Sequence, residues 1–306
     1  MPNHPLTLLT GPTASGKTRL ALEWARRTGG WILSCDPLLF YRFADIGTAK
    51  PTPAEREEVP HFGLDLSAPD RLLDLPAFLA YAKATLRKAD EQGAPVLVVG
   101  GSGFYLAAFH EPAPDPIEID PAVKEEVRRI ADEGGAEGLR RALLRVDPDP
   151  VVDLANPRRT APALERCLAT GRSTRELKER RERLPCPFAA RERNWFRIDP
   201  GDERLAQRIA ARTDAMLAAG LVAEVRRLRE KGFEGNPTLA RAIGYRETLA
   251  YLDGRLPAEA LPEAINANTL RLARRQRKWI RNRLPAASDA SLLPGVTRDD
   301  SMSDRT

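Results

Sequence analysis

Residues 11–18, GPTASGKT, constrain this 306-residue chain more tightly than any other segment. They follow the apolar run Leu6-Thr7-Leu8-Leu9 and lead into residues 19–28. There Leu20, Ala21, Trp24 and Ala25 recur at helical spacing, and Gly29-Gly30 ends the run. Strand, G-x-x-x-x-G-K-[ST], helix is the arrangement of a phosphate-binding loop, or P-loop. Each residue type has a reason to be there. Gly11 and Gly16 let the backbone curl, so that the N–H groups of the Pro12-Thr13-Ala14-Ser15 segment and its neighbours turn inward toward phosphate oxygens. The helix N-terminus adds its partial positive charge. Lys17 brings the only full charge in the loop, and the Thr18 hydroxyl suits Mg²⁺. The chain is expected to bind a di- or triphosphate. Kinases, NTPases and transferases that expel diphosphate all remain open.

Further apolar runs at 31–34 and 95–99 read as strands, with a weak third at 61–66 and a helix at 76–89. Continuous apolar strands separated by helices indicate a parallel sheet buried on both faces, whose ligands gather at the carboxyl ends of the strands. Gly11, Asp36 and Gly100 all fall just past such ends. After residue 109 comes the proline-rich, acidic EPAPDPIEIDP, followed by helical patterns at 122–133, 136–146, 160–170 and 173–183. A strand at 194–198 and long helical patterns at 204–231 and 261–283 close the sequence. The expected fold is α/β, a P-loop NTPase-like parallel sheet core (1–112 and 194–284) carrying a helical insertion domain (113–193). From Pro285 the pattern loses periodicity, and 285–306 reads as a disordered tail.

Composition narrows the setting. No apolar run approaches the ~20 residues that a bilayer span needs, and the N-terminus lacks the features of a signal peptide, so no membrane role is expected. Cys35, Cys167 and Cys186 are odd in number and widely spaced, which fits a reduced cytoplasmic protein rather than a disulfide framework or zinc site. The net charge of +5 is concentrated: residues 271–283 hold seven basic and no acidic side chains. Such a run suits a polyanion, though it could equally be a solvated helix face.

Three constellations remain, each with a structural alternative. Asp36 ends a strand, where it could serve as a general base or simply cap a turn. Ser102 lies in VVGGSGFY, whose glycines permit close backbone approach. Arg241 and Arg246 flank Ile243-Gly244-Tyr245, and an arginine there can hold diphosphate bidentately or pair with a surface carboxylate.

In this order and spacing, the segments resemble the bacterial tRNA dimethylallyltransferases, the isopentenyl diphosphate (IPP) transferase family. The resemblance covers roughly residues 6–284. It rests on GPTASGKT, on Asp36 and Tyr41 followed by DIGTAKP at 45–51, on VVGGSGFYL, NPRR at 156–159, ALE at 163–165, RAIGYRE and ARRQRKW. It implies transfer of a dimethylallyl group from dimethylallyl diphosphate to N6 of adenosine 37 in tRNAs reading codons that begin with U. Kinase or NTPase activity, and prenyl transfer to free adenylate, are the alternatives. By the resemblance, Asp36 is the base and Lys17, the loop amides, Mg²⁺ on Thr18 and Arg241 stabilise the departing diphosphate. Ser102 stands where the family usually has Thr, and its hydroxyl bonds the adenine or the bridging oxygen. Asp36, Pro37, Leu38, Leu39, Ser102, Lys124, Arg158, Arg159 and Arg246 match positions that contact tRNA. Two departures bear on selectivity: the usual D-S-x-Q is Asp36-Pro37-Leu38-Leu39 here, and Pro162 replaces the last arginine of Q-R-L-x-R. Every piece of this site lies within one chain, which implies a monomer.

Overall fold

The strand β1 (Leu6–Thr10) has Leu8 and Leu9 both fully buried, so it is covered on both faces. The structure is a computed structural model and describes residues 4–112, 115 and 117–296. After β1 come α1 (Lys17–Thr28), β2 (Trp31–Ser34), α2 (Pro53–Glu58), β3 (His61–Phe62), α3 (Leu75–Glu91), β4 (Val96–Gly100) and α4 (Gly103–Ala107). The chain then builds α5 (Pro121–Val146), α6 (Pro157–Thr170) and α7 (Thr174–Glu182). It returns through β5 (Arg193–Arg197), α8 (Asp202–Ala218), α9 (Leu221–Glu230), α10 (Pro237–Ala240), α11 (Tyr245–Leu252), α12 (Leu261–Arg283) and β6 (Ser288–Asp289).

All six strands are parallel, in the order β3-β2-β4-β1-β5-β6. The fold is α/β. Successive strands β1 and β2 are separated by β4, so the carboxyl end of β1 opens onto the crevice where such sheets bind ligands. The apolar row that α1 presents, Leu20, Ala21, Trp24 and Ala25, packs with Leu9, Ile32, Leu97 and Phe196 of four adjacent strands. Burial of that stripe, rather than propensity, secures α1 over the sheet. A separate aromatic group joins Phe40, Phe78, Tyr105, Phe109 and Phe188 through stacked and edge contacts.

The chain divides into two compact units, Met1–Phe109 with Phe188–Thr306, and His110–Pro187. The second unit has its own core of Val127, Leu139, Leu143, Ala163, Leu164, Cys167 and Leu177. Its long helix α5 is interrupted at Gly135, whose φ of 58° breaks the helical path between the two expected helical patterns.

Three expectations are corrected in detail. The single helical pattern at 204–231 is two helices, because Gly220 adopts φ 97°, a left-handed geometry that an α-helix cannot pass through. The weak strand at 61–66 shortens to His61–Phe62. The tail expected to be disordered is structured as far as residue 296. Ser288 and Asp289 pair with Phe196 and Arg197, and Ala290 and Leu293 join the core beside Leu9 and Trp24. Two buried side chains and two paired residues are too short a pattern for periodicity to register. Residues 297–306 lie outside the described residues.

Candidate active site

The P-loop leaves the carboxyl end of β1. Ala14 and Gly16 both adopt left-handed backbone, at φ 60° and 98°, and the chain doubles back before α1 begins at Lys17. Three side chains brace it. Gln276 of α12 accepts the Thr13 N–H at 2.8 Å. Arg208 of α8 donates to the Ser15 carbonyl at 2.8 Å. Lys17 Nζ donates to the carbonyls of Gly11 and Pro12 at 2.9 and 2.7 Å, which holds the ammonium over the loop. Gly11 is confined by the Ile198 carbonyl, with which a Cβ would collide. The Ser15 hydroxyl is buried beside Gly11 with no hydrogen-bond partner among the described residues.

Asp36 stands just past β2. Its Oδ1 accepts the Leu38 N–H at 3.1 Å and caps a 3₁₀ turn, Pro37–Phe40. Pro37 suits the first position of that turn, where its missing N–H costs nothing. Pro37, Leu38 and Leu39 are half-buried, and Leu38 packs against the core that contains Tyr41 and Leu221. Asp36 is itself half-buried. Burial raises its carboxyl above the usual aspartate range, opposed by the Leu38 N–H and the charges of Lys17 and Arg212. Burial brings the Lys17 amine down to about 8; the field of Asp36 resists this and that of Arg212 adds to it. Burial also lowers the Arg212 guanidinium, again opposed by Asp36. Two cations and one carboxylate from α1, the end of β2 and α8 thus feel one another's fields. The excess positive charge suits an anion.

The turn after β4 closes the other side. At Gly101 an added Cβ would stand 3.2 Å from the Gly11 carbonyl and 3.6 Å from Lys17 Nζ. The next residue, Ser102, is the N-cap of α4 and half-buried, and its side chain makes no capping hydrogen bond. Its hydroxyl is therefore available to a substrate. Thr18 is exposed in the first turn of α1.

Among the described residues no three His, Cys, Asp or Glu side chains gather where they could hold a metal ion. Mg²⁺ commonly takes one or two protein oxygens and completes its shell with phosphate oxygens and water. The exposed Thr18 hydroxyl beside the P-loop fits that mode.

The other expected residues are exposed side chains. Arg241 is an exposed residue at the C-cap of α10, and the guanidinium that feels Asp36 is that of Arg212. Arg246 is exposed on α11 and paired with Glu247 at 2.6 Å. Lys124, Arg158 and Arg159 are exposed on α5 and α6 of the second unit. Two arginines in the first turn of α6 oppose the helix dipole, so helix stability does not explain them. Arg208, Arg212 and Gln276 are functional candidates that sequence reasoning missed. Arg208 and Arg212 sit one turn apart beside buried Leu205 and Ile209, a weak signal that two arginines border a buried stripe.

Sheet topology and loop geometry define a P-loop-like α/β protein. Residues 39–283 match the IPP transferase family. A tRNA dimethylallyltransferase from Opitutus terrae is 47% identical over 280 residues, 92% of this chain and 91% of the relative. Among solved structures, a tRNA isopentenylpyrophosphate transferase from Bacillus halodurans is 29% identical, covers 94% of this chain and 90% of its own, and gives a TM-score of 0.66. A eukaryotic dimethylallyltransferase solved while acting on tRNA shares the fold at a TM-score of 0.77 and 23% identity, over 94% of this chain and 74% of that one. The chain belongs to the IPP transferase family, and it is a transferase.

Proposed function

We propose that this protein transfers the dimethylallyl group of dimethylallyl diphosphate to N6 of an adenosine in tRNA, adenosine 37 of tRNAs that read codons beginning with U. The observation that carries this reading is a carboxylate, Asp36, held near two cations, Lys17 and Arg212, at a P-loop. The adenine amine is a poor nucleophile because its lone pair is delocalised into the ring. Asp36 uses one oxygen to accept the Leu38 N–H, which leaves the other to take the N6 proton. As the N6 lone pair bonds to C1 of the prenyl group, the C1–O bond breaks and its electrons leave with diphosphate. Lys17, Arg212 and the loop N–H groups stabilise that charge. Ser102, whose hydroxyl makes no capping bond, would bond the adenine or the bridging oxygen. Mg²⁺, held by Thr18 and the diphosphate, would neutralise further phosphate charge.

A macromolecular acceptor is supported by α12. Arg271, Arg274, Arg275, Lys278 and Arg281 are exposed along one face, at helical spacing, whereas Arg277 turns to Asp199 and Asp202. Such a stripe suits an RNA backbone. Base flipping would bring the target adenine to Asp36. The test is incubation with labelled dimethylallyl diphosphate, Mg²⁺ and either tRNA or AMP. Label in tRNA is expected. Label only in AMP would make the protein an adenylate prenyltransferase, and label in neither would overturn prenyl transfer.

A further inference from the structure

The loop at residues 45–50, part of DIGTAKP, lies outside the P-loop and makes no direct contribution to the chemistry above. Its backbone is nevertheless gripped from a distance. Glu224 on α9 is buried, and its Oε2 accepts the N–H groups of Asp45 at 2.9 Å and Ile46 at 2.7 Å. Its Oε1 accepts the Gly47 N–H at 2.9 Å and the Tyr245 hydroxyl at 2.8 Å. A buried carboxylate is unfavourable unless its lone pairs are satisfied. Here four donors satisfy it, and none is a cation. Burial, then the charge of Glu224, pushes the Tyr245 phenol well above its usual range, so it remains a donor. The ring of Tyr245 lies so close to Gly47 that a Cβ there would overlap it. The far end of the loop is fixed as firmly. Lys50 Nζ is buried and reaches the Tyr41 carbonyl, Asp65 and Asp45, each at 2.8 Å.

Between these two anchors lies Thr48. Its hydroxyl donates to the Ala44 carbonyl at 2.6 Å, and its own carbonyl accepts from Arg212 Nη2 at 3.5 Å. Among the described residues, Arg212 forms no ion pair within 4 Å. The loop carbonyl thus meets this guanidinium in a long contact, and Arg212 also feels the field of Asp36.

We propose that Glu224 and Tyr245 are positioning residues of the transfer site, which act on the donor diphosphate through residues 45–48 and Arg212. The proposal rests on the reading of dimethylallyl diphosphate as the donor. It also gives two sequence segments a joint role, since DIGTAKP supplies the clamped loop and RAIGYRE supplies the tyrosine that clamps it.

The test is steady-state kinetics of Tyr245→Phe and Glu224→Gln, each in the parent and in an Arg212→Ala background, with dimethylallyl diphosphate and tRNA varied separately. Tyr245→Phe removes one of four donors and keeps the ring over Gly47. It should raise KM for dimethylallyl diphosphate about 3–10-fold and leave KM for tRNA unchanged, because only groups facing the donor move. Glu224→Gln should cost about 10–100-fold in kcat/KM for the donor, because it leaves buried N–H groups poorly matched. Once Arg212 is absent, both effects should shrink to less than about 2-fold, the non-additivity expected of groups that act through one another. A purely structural clamp would give the same fold-loss in both backgrounds, or a loss shared equally by the two substrates, and either result overturns the proposal. If Glu224→Gln does not fold, Tyr245→Phe decides. A parent protein that transfers nothing from dimethylallyl diphosphate defeats the donor assignment, whereas an active parent with additive variants defeats only the positioning role.

Discussion

At Asp36 two tendencies compete. Burial favours the neutral acid, while Lys17, Arg212 and the Leu38 N–H favour the carboxylate; the net effect is a carboxyl raised above the usual range. A base with a raised pKa holds its proton more strongly, which suits proton removal from N6. Asp36→Asn preserves shape and removes basicity. Donor and tRNA binding should survive while single-turnover transfer slows by about 10²–10⁴-fold; turnover within about threefold of the parent would make Asp36 only a turn residue. Lys17 gives a prediction in pH. Its amine is brought down to about 8, so the loop loses its charge as pH rises through that value. The Kd for dimethylallyl diphosphate, read by titration calorimetry, should climb from pH 7.5 to 9.5, and Lys17→Ala should weaken binding and flatten the climb. The same shift acts on stability with the opposite slope. Between about 8 and 10.5 the unfolded chain holds a proton on Lys17 that the folded chain has released, so this group makes the fold more stable as pH rises there.

At the scale of elements, the sheet ends in two very short strands, β3 and β6. β6 carries more than its length suggests, because Leu293 just beyond it is almost wholly buried against the α1 side of the core. Leu293→Ala should lower stability by about 2–5 kcal/mol, the range for emptying a packed leucine site. Urea unfolding measures this directly. A midpoint unchanged from the parent would mean that the segment after α12 detaches in solution.

For the whole molecule, the site chemistry is concentrated in the unit that contains the sheet, and the exposed cations Lys124, Arg158 and Arg159 are on the other unit. If those three read RNA phosphates, replacing all three with Ala should raise KM for tRNA and leave KM for dimethylallyl diphosphate unchanged. The salt dependence of tRNA binding should become shallower, with a log–log slope reduced by about 2–3, since each lost phosphate contact removes counterion release. A slope equal to that of the parent would assign RNA contact to other residues, with the exposed face of α12 the next to examine.

The sequence by itself determined the P-loop, the parallel α/β class and the positions of Lys17, Asp36 and Ser102. The physical reason is locality. Eight contiguous residues specify the loop, and an apolar run of four or five specifies a strand buried on both faces. The partners of those residues were decided only by the tertiary structure. Arg208 reaches the P-loop from 193 positions away and Gln276 from 263, while Glu224 grips residues 45–47 across 177 to 179. An arginine on a helix face produces the same local pattern whether it meets solvent or an active-site carboxylate. Thus nothing local marked Arg212 in the sequence, and only the packing of α8 beside the loop brought it within the field of Asp36.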